Sequence, residues 1–82
     1  MDLYFVYVTV ADRGEAERIA RTSVEERLAA CANILGGIHS VYRWEGEVCE
    51  GNEVALILKT TEARREALQQ RIRQLHSYAC PC

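Results

Sequence analysis

Four cysteines, two histidines, one lysine and one tryptophan are the side chains through which this chain could do chemistry. Cys80 and Cys82 bracket Pro81, and on an extended segment a C-x-C pair sets two sulfurs on one side, a chelate for a soft cation. Thiolates of that kind favour Cu(I) or Zn(II), but zinc wants four ligands and no C-x-x-C partner stands elsewhere. The plainer reading is two small residues in a strand. His76 and Tyr78 flank Ser77, so an extended backbone points both the same way, towards an anion, a carboxylate or a metal. The plainer reading of His76 is a cation stabilised by a helix C-terminus. Lys59 is the sole lysine among ten basic residues, which marks a place where a compact ammonium serves better than a guanidinium, or else a solvated strand end. Cys31 opens a strand, where a free cysteine is usually a small buried apolar group. Tyr42 and Trp44 are two apart on one strand and share a face. A lone tryptophan at a hairpin tip needs apolar cover, so Trp44 either packs on a neighbouring subunit or walls a pocket. Glu45, Glu47, Glu50 and Glu53 read as a solvated hairpin surface. No nucleophilic triad, phosphate loop or H-E-x-x-H appears, and an enzyme is not expected.

The elements that must position these groups follow from period and punctuation. Leu3–Val10 (LYFVYVTV) is apolar on both faces and reads as a central strand. Asp12 stands three residues before Glu15, the spacing of a capping box, and Ala16, Ile19, Ala20, Val24 and Leu28 then repeat at helical period, predicting a helix over Arg13–Ala29. Cys31–Trp44 is a second strand with a bulge or bend at Gly36-Gly37. Glu45-Gly46 makes the turn into a third strand, Glu47–Thr60. There Val54, Leu56 and Leu58 face one way and Glu53, Ala55, Ile57 and Lys59 the other. Thr60 or Thr61 caps a second helix that ends near Leu75, with Leu68, Ile72 and Leu75 as its stripe. Ser77–Cys82 begins a further strand. The order is that of an α+β, ferredoxin-like split β-α-β sandwich in one domain. Its β2–β3 hairpin is too long for so small a core, so it should pair with neighbouring subunits rather than stay an open edge.

Eighty-two residues at 49% hydrophobic content suit one small globular domain. A net charge of −2 and arginines spread on helical patterns point to no nucleic-acid partner. The longest apolar run, Leu3–Val8, is too short for a membrane span or signal peptide, so the expected compartment is the cytoplasm, with no membrane partner. Cysteines in that reducing compartment are thiols or metal ligands rather than disulfides.

The wording of several blocks resembles the CutA family of divalent-cation tolerance proteins. YRWEG at Tyr42–Gly46, KTT at Lys59–Thr61 and H-x-Y at His76–Tyr78 carry the resemblance, with VEERLA at Val24–Ala29 and LAACAN at Leu28–Asn33, across Leu3–Pro81. It implies a cytosolic homotrimer that binds divalent metal ions, with copper, as Cu(I) or Cu(II), ahead of zinc and with no organic cofactor. On this reading Cys31 matches a copper-binding cysteine of some relatives and joins His76, Cys80 and Cys82 as metal candidates. Val8 and Arg71, however, stand where a relative has cysteine. The resemblance also implies a cleft between subunits, lined by Tyr42, Trp44, Lys59, His76 and Tyr78. A small-ligand signalling trimer of the PII kind, or a structural anchoring trimer, is the alternative. Ser77 departs from the proline of many relatives, and Cys80-Pro81-Cys82 from their apolar-Pro-Glu. Relatives continue past H-x-Y-x-x-P with a full fourth strand and a terminal helix. The fourth strand is therefore expected to be truncated here, in a fragment or in a chain whose gap a partner fills.

Overall fold

The computed structural model describes residues 2–77, in the order β1 (Leu3–Val10), α1 (Arg13–Glu25), β2 (Cys31–Trp44), β3 (Glu47–Thr61) and α2 (Glu62–Leu75). The strands form one antiparallel sheet, β1-β3-β2, so β1 and β2 run parallel with β3 inserted between them. This is the expected α+β arrangement with its long β2–β3 hairpin. Tyr78, Cys80, Pro81 and Cys82, and with them the expected start of a fourth strand, lie outside the described residues.

Alternation decides what each strand buries. Val6, Val8 and Val10 pair with Leu58, Leu56 and Val54, and these residues face the helices. Ile19 and Ala20 of α1 and Leu68 and Ile72 of α2 close on them to form the core. Each such Val, Leu or Ile taken from water contributes roughly 1.5–3 kcal/mol before entropy is counted. Phe5, Tyr7 and Thr9 pair with Lys59, Ile57 and Ala55 on the other face, which carries no helix.

The helix ends differ from the sequence expectation. Asp12 accepts a 2.8 Å hydrogen bond from the Glu15 amide, as a cap should. The reciprocal half of the box is absent, because the Glu15 carboxylate turns to Ser77 instead. α1 stops at Glu25, four residues short of Ala29. Arg27 adopts φ 61°, its amide donates to Val24 O, and Leu28 N donates to Ser23 O. That is a Schellman stop, which usually announces itself with Gly or Asn, and an arginine in its place hides it from the sequence. The reversal brings Ala30 N to 2.8 Å from Lys59 O and starts β2 in register. Thr61 occupies the N-cap position of α2 but makes no side-chain capping bond.

The hairpin turn uses positive φ at both Glu45 (51°) and Gly46 (82°), the twist that suits a two-residue connection. Upstream, Gly36 and Gly37 together face the single step between Ala55 and Glu53, and Gly37 sits at φ 74°. This is the expected bulge.

Candidate functional site

Cys31, Lys59 and Phe5 lie side by side across the three strands on the helix-free face. Lys59 is the register partner of both Cys31 and Phe5, and its Nζ stands 5.6 Å from the Phe5 ring centroid, a cation–π contact. Two residues assigned to different sites, Cys31 to metal and Lys59 to a cleft, are therefore neighbours. Around them the face is apolar and open: Phe5 is 66% exposed and Tyr7 55%, with Leu3 and Leu35 also exposed.

The bulge extends this face along the hairpin. Below it, the odd residues Cys31, Asn33 and Leu35 share the face of Lys59. Above it, the extra residue shifts the alternation, so Ile38, Ser40, Tyr42 and Trp44 take that face instead, opposite Glu53, Gly51, Cys49 and Glu47. Trp44 is 57% exposed at the tip. From Glu47 opposite Trp44 to Lys59 is roughly 40 Å at strand rise. One chain cannot bring its own Trp44 to its own Lys59.

His76 is buried within the subunit rather than open to solvent. It is only 8% exposed, and its Nε2–H donates to Thr9 O at 2.7 Å. Its Nδ1 stands 3.7 Å from Glu15 Oε2. The Glu15 carboxylate, itself 6% exposed, also accepts from Ser77 N at 2.7 Å and Ser77 Oγ at 2.9 Å. The imidazole ties the end of α2 to β1 and to the first turn of α1. It turns inward because a buried ring nitrogen needs a partner and the Thr9 carbonyl offers one. Tyr78, Cys80 and Cys82, the other candidates of this segment, lie outside the described residues. Among the described residues, no group of three or more His, Cys, Asp or Glu side chains is placed to hold a metal ion, so within one chain they do not make a closed metal site.

The opposite face of the hairpin carries a constellation around His39, which the sequence offers with His76 as the alternative to the thiols for copper. His39 pairs directly with Asn52, and its Nε2 lies 2.9 Å from Glu50 Oε1, with Nδ1 3.4 Å from Asn52 Oδ1. Glu50, acting first, and Asn52 hold the His39 pKa above its ordinary value of 6.5, while partial desolvation works weakly against them. The signal was present in the sequence: a two-residue turn at Glu45-Gly46 pairs Trp44 with Glu47, and counting outward from it sets His39 opposite Asn52.

Comparison with known proteins fits this architecture. Residues 4–82 match the family model described as CutA1 divalent ion tolerance protein. The Thermus thermophilus protein named divalent-cation tolerance protein CutA is 47% identical over 76 residues, which is 93% of this chain and 74% of the relative. Its solved structure superposes with a TM-score of 0.94 at 45% identity, covering 98% of this chain and 78% of that one. The chloroplastic CutA protein of Arabidopsis thaliana is 45% identical over 93% of this chain, which spans 42% of that longer relative. A structure from Archaeoglobus fulgidus, described as a periplasmic divalent cation tolerance protein, gives a TM-score of 0.94 at 38% identity over 99% of this chain and 78% of its own. Relatives thus carry the names of different compartments. With the fold, the long hairpin and most of its length matched, the chain belongs to the CutA1 divalent ion tolerance protein family.

Proposed function

We propose that this chain works as a non-catalytic homotrimer in the cytoplasmic response to divalent metal ions, with copper the favoured ion and the subunit boundary its working site. The observation that carries the reading is the helix-free face. Leu3, Phe5, Tyr7 and Leu35 leave an apolar surface open beside Lys59, and the bulge continues that surface to Tyr42 and Trp44. An apolar face of this extent marks an interaction surface. A second copy supplies matching cover, and only a second copy can bring a Trp44 to Lys59, given the separation within one chain. Copper enters as Cu(I), which soft thiolates select, through Cys31 at that boundary or through Cys80 and Cys82.

Lys59 favours a second reading. An ammonium set against an aromatic ring and facing the boundary suits an anionic small ligand, as in a PII-like signalling trimer.

Native mass spectrometry of the purified protein, with and without copper and zinc, tests both readings. The expected result is a trimer that retains copper and loses it when Cys31, Cys80 and Cys82 are all changed to Ser. A co-purifying organic anion supports the second reading. Sedimentation as monomer alone at micromolar concentration overturns the assembly, and unchanged copper uptake by the triple variant overturns the thiol site.

A further inference from the structure

We propose that His39 and Glu50 form a divalent-cation site on the outer face of the hairpin, with Asn52 orienting the imidazole. The site is distinct from the subunit boundary above. His39, Asn52 and Glu50 have the opposite alternation to Tyr42 and Trp44, so they stand on the other side of the same two strands.

The hydrogen-bond roles lead to the cation. Asn52 Oδ1 can only accept, so the His39 Nδ1 beside it carries a proton. Nε2 then faces the Glu50 carboxylate at 2.9 Å. A bare lone pair and a carboxylate oxygen at that distance repel each other unless a positive species lies between them. A proton is one such species and a metal cation is another. The arrangement is that of a metal-ligating histidine, whose distal N–H is fixed by an oxygen acceptor that sets tautomer and ring orientation.

The spacing needs only a small adjustment: two metal bonds of about 2.1 Å at the tetrahedral angle of zinc place their donor atoms about 3.4 Å apart, against 2.9 Å between Nε2 and Oε1 here. The cation would lie off the line between Nε2 and Oε1, and Glu50, long and exposed, swings to admit it. Both side chains are more than half exposed, so water completes the coordination shell. One imidazole nitrogen and one carboxylate oxygen select Zn(II), Cu(II) or Ni(II) over soft Cu(I) and over hard Mg(II). The exchange balances in charge and atoms: the cation enters, the proton shared by His39 and Glu50 leaves to solvent, and no redox step is involved.

The test is a zinc chloride titration of the ¹⁵N-labelled full chain, followed through the ring nitrogens of both histidines and the backbone amides. The expected result is a saturable shift of His39 Nε2, with amide changes confined to His39, Glu50, Asn52 and their neighbours, while His76 stays still. Asn52→Ala should weaken zinc by about tenfold, because it removes only the orienting acceptor. Glu50→Gln should weaken it further, and His39→Ala should abolish the local response. Cys31→Ser should leave it intact, which separates this site from the thiol copper reading. An unmoved His39, or an equal zinc response in wild type and Glu50→Gln, overturns the paired site. All three hairpin side chains are exposed, and the dispersion of the amide spectrum reports whether each variant keeps its fold.

Discussion

Trp44 and Lys59 occupy one face of a continuous sheet, at opposite ends of the hairpin, because β2 carries one more residue than β3 between them. Without that residue the whole segment Ile38–Trp44 would turn over, placing Trp44 on the face His39 now occupies and His39 on the face of Lys59. Deleting Gly37 should therefore remove Tyr42 and Trp44 from the face of Lys59, since a one-residue slip reverses every side chain beyond it. The expected outcome is loss of self-association with helix content retained, read by sedimentation and far-ultraviolet circular dichroism. A deletion variant that assembles like the parent would show that the aromatic pair does not form the contact.

The two glycines of the bulge should respond differently to a side chain. A Cβ on Gly36 or Gly37 meets no atom within 4 Å, so space is available at both. Only Gly37 holds a left-handed φ, of 74°. Gly37→Ala should cost about 1–2 kcal/mol through that backbone alone, and Gly36→Ala should cost much less. Urea denaturation of the two variants measures the difference, and equal midpoints would contradict it.

Arg27 presents the reverse case. It holds φ 61° at the stop of α1, and the bond its position accepts from Arg64 Nη1, at 2.6 Å, uses only its backbone oxygen. Arg27→Gly keeps that bond and removes the strain of a left-handed arginine. Against the greater freedom of glycine in the unfolded chain, the net gain should be up to about 1 kcal/mol. A higher urea midpoint at unchanged slope is the expected result.

Glu15 should matter more for stability than its place in an exposed first turn would imply. Its carboxylate is buried and accepts both polar hydrogens of Ser77. Glu15→Ala leaves those donors and the Nδ1 side of His76 without it, at about 1–3 kcal/mol. Faster hydrogen exchange at the Ser77 amide should accompany the loss. A variant with native stability and native exchange would show that the clasp is incidental.

The His39 pair gives the hairpin a pH dependence. The imidazole pKa is raised in the folded chain, through Glu50 first and Asn52 second. A raised value means the charged form is favoured by folding. Its contribution is therefore complete below the ordinary value of 6.5 and disappears as pH rises through the folded value. In metal-free buffer, a proton NMR titration of the His39 ring should give a midpoint above 6.5, and Glu50→Gln should lower it. The difference in hairpin amide exchange between wild type and Glu50→Gln should be present in mild acid and absent in mild base.

The sequence by itself determined the element order, the bulge, the turn, the family and most of the core stripes, although Val24 of the predicted α1 stripe is exposed. These are local or periodic properties. Alternation placed Val54, Leu56 and Leu58 against the helices, the Gly36-Gly37 pair announced an irregular strand, and Glu45-Gly46 announced the reversal. The end of α1 was not legible, because its stop rests on an arginine in a glycine's conformation. Tertiary structure alone decided the placement of the polar groups. Glu15 fits a capping box by spacing, yet its carboxylate is drawn to Ser77, sixty-two positions away in sequence. His76 fits an exposed pair with Tyr78 by spacing, yet its ring is drawn inward to Thr9, sixty-seven positions away. A buried polar group goes to whichever partner the packed elements bring near it, and sequence spacing carries no record of that partner. Cys31 and Lys59 became neighbours only once the register of β3 against β2 was fixed across the bulge, whereas the place of His39 opposite Asn52 follows from counting outward from the turn.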